Sequence, residues 1–313
     1  MSVDSLKKDR RRFGDALFRR VATVSGSGIL VILAAVALFL IGLSLPALFA
    51  SAEELPYGPF WSWVIPLALG TVWAAFLAML FAVPVAIGVA LFISHYAPRR
   101  LAQGLGYIID LLAAVPSVVF GLWGINVLAP MLLPAYAWLN RTFGDVFVLS
   151  YFFGGKASGT GRTILTAALV LAVMVLPIIT AISREVFLQT PRLHEEASLA
   201  LGATRWEMIR QAVLPFAMPG IVSACMLGLG RALGETMAVA MVLSPGAGFH
   251  LQLLTSSNPN SIAANIALQF PEAYGLGVNQ LIASGLILFV ITLGVNMAAR
   301  AIVARRAEFS GAN

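Results

Sequence analysis

Long runs of apolar residues, separated by short polar segments, dominate the pattern of this chain. Six runs reach the length of about 20 residues that an α-helix needs to cross the hydrocarbon core of a bilayer. They cover residues 29–50, 63–94, 111–139, 163–183, 216–244 and 276–299. The pattern therefore predicts an all-α membrane protein with six transmembrane helices, of which the long second and third ones tilt or break.

The composition agrees with a protein whose solvent is the bilayer. Hydrophobic residues make up 59% of the 313 residues and charged residues 11%, whereas about a quarter of the residues in soluble domains are charged. The net charge of +6 does not indicate nucleic-acid binding, because the cations cluster at the ends of apolar runs. The single cysteine, Cys225, excludes an intrachain disulfide and a thiolate metal site.

The distribution of lysine and arginine predicts the orientation, because cytoplasmic loops carry an excess of both. Most of the 20 cations lie on one side, in the N-terminal tail, the second and fourth loops and the C-terminus. The other side holds Arg141, Lys156 and Arg162, and Arg231 lies within a predicted span. Both termini are therefore expected to be cytoplasmic. A stretch of small residues after the first run imitates a signal-peptide cleavage site, but that run is longer than a signal core.

The fourth loop carries the signals of a short helix that ends in a tight turn. Thr190 suits the N-cap of this helix, and Pro191 suits its first helical position. Glu195 and Glu196 follow near the positive end of the helix dipole. Gly202 supplies the left-handed residue that ends the helix.

A second helix opens directly after this turn. Thr204 and Glu207 have the spacing of a capping box, and the helix is expected to run into Leu214-Pro215. The loop is therefore predicted to be an ordered elbow. Its local physics is equally consistent with a support on the membrane surface and with a docking element.

The same loop resembles a known motif. Glu196-Ala197-Ser198, then Gly202 after three residues and Ala212 after nine more, is similar to the EAA loop of the permeases of binding-protein-dependent ABC importers. Ser198 and Ala212 depart from that pattern, and both replacements suit a packed elbow. The resemblance implies a coupling loop at 190–215 that docks on an ATPase subunit. The residues that it assigns to this coupling are Glu195, Glu196, Ala197, Gly202, Leu214 and Pro215.

The fifth run contains two ionisable residues, Arg231 and Glu235. A charge at the centre of a membrane helix costs about 2.5–3.5 kcal/mol on insertion scales, so both are expected to face protein or water. Four residues apart on one helix, they share a face and are able to pair. One interpretation is a structural ion pair. The other is an anion site, in which the forked guanidinium binds a tetrahedral oxyanion and Glu235 accepts a hydrogen bond from protonated phosphate.

The segment Arg-Ala-Leu-Gly-Glu-Thr-Met-Ala that begins at Arg231 closely resembles the fifth-span motif of phosphate-specific ABC importer permeases, the PstC and PstA types. The segment Val-Pro-Ser-Val-Val-Phe-Gly-Leu in the third run is similar to a segment of the same family. The long first run and the basic tail favour the PstC type. The resemblance implies a phosphate path with Arg231, Glu235 and Ser117, although Pro116 is equally consistent with a simple helix kink.

The resemblance also implies the fold and the partners. The fold is the type I ABC importer (MetI-like) permease fold, in the bacterial inner membrane. The partners are a paralogous PstA-type permease, two PstB-type ATPase subunits, an extracytoplasmic PstS-type phosphate-binding protein, phosphate and membrane lipid, without nucleic acid or a cofactor. The expected divisions are a basic cytoplasmic tail at 1–28, the first transmembrane helix at 29–50, the importer transmembrane domain at 63–303 and a cytoplasmic tail at 304–313.

The chain is expected to be a transport subunit and not itself an enzyme. The glycine-rich stretch 154–163 fails the Gly-x-x-x-x-Gly-Lys-Ser/Thr nucleotide motif and is interpreted as a flexible outer loop. The three histidines are scattered among different loops and predict no metal site. Two rival functions are an ABC permease for another oxyanion, such as sulfate or molybdate, and an ion-coupled secondary transporter in which Glu235 relays protons.

Overall fold

The computed structural model describes residues 3–246 and 248–307, and within these residues the chain is helical and contains no strand. The helices are α1 (Val3–Phe49), α2 (Phe60–Leu91), α3 (Arg99–Ala113), α4 (Ser117–Trp123), α5 (Ala129–Phe143), α6 (Ser150–Phe153), α7 (Ile164–Leu188), α8 (Arg192–Ala200), α9 (Arg205–Met208), α10 (Leu214–Leu233), α11 (Met237–Val242), α12 (Ile262–Gln269) and α13 (Leu276–Ala307). π-helical turns extend α2 (Phe92–Tyr96), join α4 to α5 (Gly124–Leu128) and join α9 to α10 (Ile209–Val213).

Six stretches are long and apolar enough to cross a membrane, which confirms the predicted number. They are Gly14–Phe49, Phe60–Tyr96, Ser117–Phe143, Ile164–Leu188, Arg205–Leu233 and Leu276–Ala301. The helix α1 continues without a break across residue 28, where the sequence analysis placed the boundary between a tail and the first span.

The third span begins later than predicted, at Ser117 instead of residue 111. The residues before it form the separate helix α3, and Pro116 takes an extended conformation with φ −60° and ψ 139°. A proline disfavours the helical conformation in the residue that precedes it, so a helix tends to end upstream. Pro116 therefore separates two helices and does not simply bend one.

The helix α7 forms the centre of the bundle. Most of its residues are buried, and it packs against both α2 and α10. At its start, Thr163 Oγ1 accepts a hydrogen bond from the N–H of Thr166 at 3.2 Å, and the hydroxyl of Thr166 lies 2.7 Å from that of Tyr136 in α5. This buried polar cluster fixes α5 against the start of α7.

The helix α1 packs along α13 at one side of the bundle. Asn279 Nδ2 donates a hydrogen bond to the carbonyl oxygen of Leu43 at 2.7 Å, and Ala47 and Ala283 are buried nearby. Other large apolar side chains of α1, such as Ile29, stay exposed, which suits a helix in contact with lipid.

The two ends of the bundle differ in structure. One end carries the elbow, residues 190–215, and we call it the elbow end. At the opposite end, the segments 144–163, 243–246 and 248–261 fold against each other, and we call it the cap end.

The glycine-rich stretch 154–163 is part of this cap and not a flexible loop, so that interpretation was wrong. The N–H of Ser158 donates to the carbonyl oxygen of Leu254 at 2.8 Å, and the N–H of Leu253 donates to that of Phe152 at 2.8 Å. Gly161 has φ +70°, a left-handed conformation that glycine adopts without steric cost. Here glycine therefore serves a defined turn.

Candidate functional site

The elbow adopts the predicted helix, turn and helix. Gly202 follows α8 with φ +86°. The N–H of Glu207 donates to Thr204 Oγ1 at 3.3 Å, and the N–H of Thr204 donates to Glu207 Oε2 at 2.8 Å, which completes the capping box. A Cβ atom at position 202 would meet no atom within 4 Å. Glycine is therefore required by the left-handed backbone and not by a lack of space.

The start of the elbow differs from the prediction. The helix α8 begins at Arg192 with Pro191 in the N-cap position, and no side chain caps it. Thr190 Oγ1 is buried and has no hydrogen-bond partner among the described residues. The predicted N-cap at Thr190 was one residue too early, because Pro191 is extended (ψ 125°) and does not begin the helix.

The elbow carries an open concave surface of about 710 Å³. Ala197 and Gly202, two of the predicted coupling residues, line it. Leu193 and Leu201 also line it, and they are 74% and 90% exposed. A concavity with exposed apolar side chains is typical of a surface that binds another protein.

The remaining predicted coupling residues lie outside this concavity. Glu196 and Pro215 are exposed, and Leu214 is half-buried. Glu195 instead faces the bundle, where its Oε1 lies 3.6 Å from Nε2 of His95 in the π turn after α2. Sequence reasoning missed His95, since no local pattern marks a contact between residues so far apart in the chain.

The fifth span breaks where the sequence analysis assumed a continuous helix. The helix α10 ends at Leu233, Gly234 has φ −90° and ψ 0°, and α11 begins only at Met237. Arg231 and Glu235 therefore lie on two sides of a helix end and not on one face. In the described part of the chain no ion pair within 4.0 Å joins them. The expected pairing along one helix is wrong for this conformation.

Glu235 caps α11 instead. Its side chain is 8% exposed, and its Oε1 accepts a hydrogen bond from the N–H of Ala238 at 3.1 Å. At the other end of α11, Arg162 Nη2 donates to the carbonyl oxygens of Met241 at 3.1 Å and Leu243 at 3.3 Å. A negative charge at the first end and a positive charge at the second both complement the helix dipole. Sequence reasoning counted Arg162 only as a loop cation.

Ser117 begins α4, the helix against which α11 packs. A Cβ atom at Gly121 would lie 2.9 Å from Cα of Ala238, so the missing side chain allows the two helices to approach closely. Ser117 is half-buried, and in the described chain its side chain has no hydrogen bond to Arg231 or Glu235. The structure thus packs α4 against α11 without joining the side chain of Ser117 to that of Glu235 or Arg231.

Arg231 is half-buried and lines a cleft between α10 and α13, together with Arg300. The sequence analysis counted Arg300 only among the cations of the C-terminus. Its proximity to Arg231 depends on how α13 packs on α10, which no local sequence signal reveals.

Comparisons with known proteins place this architecture in context. The model of the family described as "Binding-protein-dependent transport system inner membrane component" matches residues 82–308. Two proteins named phosphate transport system permease protein PstC 2, from Mycobacterium bovis and Mycobacterium tuberculosis, are each 45% identical over 307 residues, or 93% of this chain and 92% of theirs. The phosphate transport system permease protein PstC of Haemophilus influenzae is 35% identical, over 98% of this chain and 99% of its own.

Solved structures share the fold. A chain of the inward-facing MetNI methionine ABC transporter matches with a TM-score of 0.55 and 19% identity, over 78% of this chain and 96% of its own. A chain of a bacterial ABC transporter involved in the import of the polysaccharide alginate matches with a TM-score of 0.53 and 20% identity, over 96% and 99%. At these identities the likeness concerns the fold alone, and it confirms the predicted MetI-like permease architecture.

Proposed function

This chain belongs to the family of inner membrane components of binding-protein-dependent transport systems, and from that premise we propose that it is a permease subunit of an ATP-driven importer for inorganic phosphate. The observation that carries the proposal is the similarity to phosphate permeases, at 45% identity over 93% of the chain. The chain is a multi-pass protein of the inner membrane.

The proposed orientation places the elbow end and both termini in the cytoplasm. The excess of lysine and arginine at the tails and in the elbow supports it. The domain at 63–303 then forms the path, flanked by the first helix, the basic tail at 1–28 and the tail at 304–313. The cap end faces outward, where a PstS-type binding protein delivers phosphate.

Arg231 is the proposed anion-binding residue of the path. Its guanidinium offers several N–H donors in a planar fork that fits a tetrahedral oxyanion. It is partly buried in a cleft between α10 and α13, which weakens solvent screening of its charge. Ser117 and Glu235 contribute through α4 and α11, by fixing the segment that follows Arg231 in the chain.

The elbow is the proposed docking surface for a PstB-type ATPase subunit. Leu193 and Leu201 present apolar surface around Ala197 and Gly202, and the exposed Glu196 lies in the same helix. Hydrolysis of ATP is assigned to that partner, and a paralogous PstA-type permease completes the path.

One continuous helical stretch connects the elbow to Arg231. The stretch Arg205–Leu233 has 29 residues and spans about 43 Å at 1.5 Å per residue. Leu214-Pro215 lies within it, where α10 begins. A displacement of the elbow by ATPase closure is then transmitted as a rigid-body movement. The contact between Glu195 and His95 adds a second link, to the end of α2.

Uptake of labelled phosphate by the reconstituted importer tests this proposal. We expect ATP-dependent uptake of phosphate and not of sulfate, and a loss of at least about tenfold in Arg231→Gln, because glutamine lacks both the charge and the fork. Arg141→Gln, which changes an exposed cation at the cap end, is the matched control.

The outcomes separate the rival functions. Sulfate uptake in place of phosphate would identify a permease for another oxyanion. Uptake by the isolated chain, without ATP or partners, would identify a secondary transporter. Normal phosphate uptake by an assembled Arg231→Gln complex would contradict the role given to this residue.

A further inference from the structure

The cleft between α10 and α13 contains a second arginine that the proposed path does not use. The cleft has a volume of about 860 Å³ and is lined by one face of α10, the end of α13 and one residue of α7. Its polar lining residues are Ser223, Arg231, Asn296 and Arg300, and none of its lining residues is acidic. The local charge is therefore positive and uncompensated.

The two arginines lie at opposite ends of this cleft. The helix α10 leaves the elbow directly, so Arg231 is the lining residue of α10 farthest from the elbow. The helix α13 starts at the cap end, where Gln280 Nε2 donates to the carbonyl oxygen of Gly58 at 3.0 Å, so Arg300 is its lining residue nearest the elbow end. The cleft therefore has an arginine at each end.

Helix geometry tilts the Cα–Cβ bonds of both arginines toward the middle of the cleft. Side chains lean toward the N-terminus of their own helix. On α10 this direction leads from Arg231 toward the elbow end, and on the antiparallel α13 it leads from Arg300 toward the cap end. The Cα–Cβ bonds of Arg231 and Arg300 are thus tilted toward each other along the cleft.

Neither guanidinium has a partner among the described residues. No carboxylate lies within 4.0 Å of Arg231 or Arg300 there, and neither donates a hydrogen bond. Two other arginines of the bundle differ in this respect, since Arg162 donates to two carbonyl oxygens and Arg184 Nη2 lies 4.0 Å from Asp110 Oδ2. Arg231 is partly buried and Arg300 is exposed, and two positive side chains that line one cleft without a carboxylate favour a bound anion there.

We propose that Arg231 and Arg300 form a two-arginine site for a phosphoryl group, with the side chain of Asn296 as a neutral hydrogen-bonding group. The hydroxyl of Ser223 already donates to the carbonyl oxygen of Pro219 at 2.9 Å. The site takes either free inorganic phosphate on its way to the elbow end or the headgroup phosphate of an anionic lipid. The free-phosphate form rests on the proposed function, because it makes Arg300 the second cation that phosphate meets after Arg231. The lipid form stands without it.

The test uses the complete importer in two kinds of vesicle, one of phosphatidylcholine and one of phosphatidylcholine with phosphatidylglycerol. The variants are Arg300→Gln, Arg300→Lys and Asn296→Asp, which places a carboxylate in the cleft. Arg100→Gln, at an exposed cation of α3, is the matched control. Uptake of labelled phosphate and the number of phosphatidylglycerol molecules retained in native mass spectra are measured for each.

We expect Arg300→Gln to lower uptake about tenfold, the effect of losing one charged hydrogen-bond donor. Asn296→Asp should lower uptake about as much, because it places a carboxylate beside the bound anion. Arg300→Lys should lose less, and Arg100→Gln should match the wild type. The ligand is free phosphate if Arg300→Gln also loses uptake in vesicles of phosphatidylcholine alone and, from the mixed vesicles, retains as many phosphatidylglycerol molecules as the wild type. If wild-type uptake requires phosphatidylglycerol and Arg300→Gln no longer retains it, the ligand is a lipid headgroup.

Equal uptake and equal lipid retention in Arg300→Gln, Asn296→Asp and the wild type would overturn the two-arginine site. That result is distinct from a failure of the proposed function, which would appear as the absence of phosphate uptake by the wild-type importer itself.

Discussion

The elbow and the break in the fifth span both interrupt an apolar chain with polar residues, but different contacts hold them. In the elbow, Thr204 and Glu207 bond to each other three residues apart. At the break, Glu235 caps α11 locally, whereas Arg162 bonds to the far end of α11 from 79 and 81 residues away. The elbow is thus a local structure, while the break depends on the assembled bundle.

This difference predicts two kinds of failure. A mutation in the elbow should uncouple ATP hydrolysis from uptake and leave the bundle intact. A mutation at the break should change uptake together with the stability of the bundle. Substitutions at three positions test the comparison.

Gly202→Val should have the largest effect. A β-branched residue at φ +86° costs about 1–3 kcal/mol in backbone strain. The turn therefore changes, and the elbow no longer fits its docking surface on the ATPase subunit. We expect uptake to fall at least about tenfold, the factor that about 1.4 kcal/mol gives, with the complex still in the membrane. Gly202→Asn is the control, because asparagine tolerates the left-handed region. Normal uptake by Gly202→Val would contradict the proposed transmission of movement from the elbow to α10.

Glu235→Ala should have an intermediate effect. It removes the acceptor for the N–H of Ala238, and loss of a helix cap costs about 0.5–2 kcal/mol. We expect uptake to fall several-fold, along with a lower melting temperature of the complex. Uptake and melting unchanged from the wild type would show that the cap has no role at the break.

Glu235→Gln divides the two roles of this residue. Glutamine keeps an oxygen acceptor and removes the charge, so near-normal uptake would indicate that Glu235 serves α11 alone. A loss as large as that of the alanine variant would indicate that its charge acts on Arg231 or on the substrate.

Arg162→Gln should have the smallest effect. Arg162 is partly exposed, so water is able to replace part of what its two hydrogen bonds contribute. We expect a melting temperature lower by about 2 °C, because about 1 kcal/mol gives a shift of about 2–4 °C in chains of 150–250 residues and a smaller one in longer chains, and a minor loss of uptake. Lys156→Gln, at an exposed cation of the same cap segment, should change neither quantity. A melting temperature equal to that of the wild type would show that the two hydrogen bonds from Arg162 to the end of α11 are not stabilising.

The sequence allowed the local part of this comparison to be predicted. The six spans, the left-handed Gly202 and the capping box of Thr204 and Glu207 all follow from patterns within a few residues, and the structure confirms them. The fold and the family also followed from a motif in one loop and a motif in one span, and the comparisons confirm both.

The parts that failed depend on contacts distant in sequence. The end of α10 at Leu233 lies inside a run that is apolar on both sides, so hydropathy alone does not reveal it. The role of Glu235 depends on α11 being a separate helix, and the role of Arg162 depends on the cap folding over it. Glycine frequency predicted flexibility at 154–163, but Leu254 and Ser256 form hydrogen bonds with Ser158 in that segment.

The pairing of α1 with α13 has a consequence for biosynthesis. The hydrogen bond between Asn279 and Leu43 joins residues that are 236 positions apart. At a translation rate of about 5–20 residues per second, the first helix waits on the order of ten to fifty seconds before its partner leaves the ribosome. During that interval the newly inserted helix has only lipid, or an insertion chaperone, along the surface that α13 later covers.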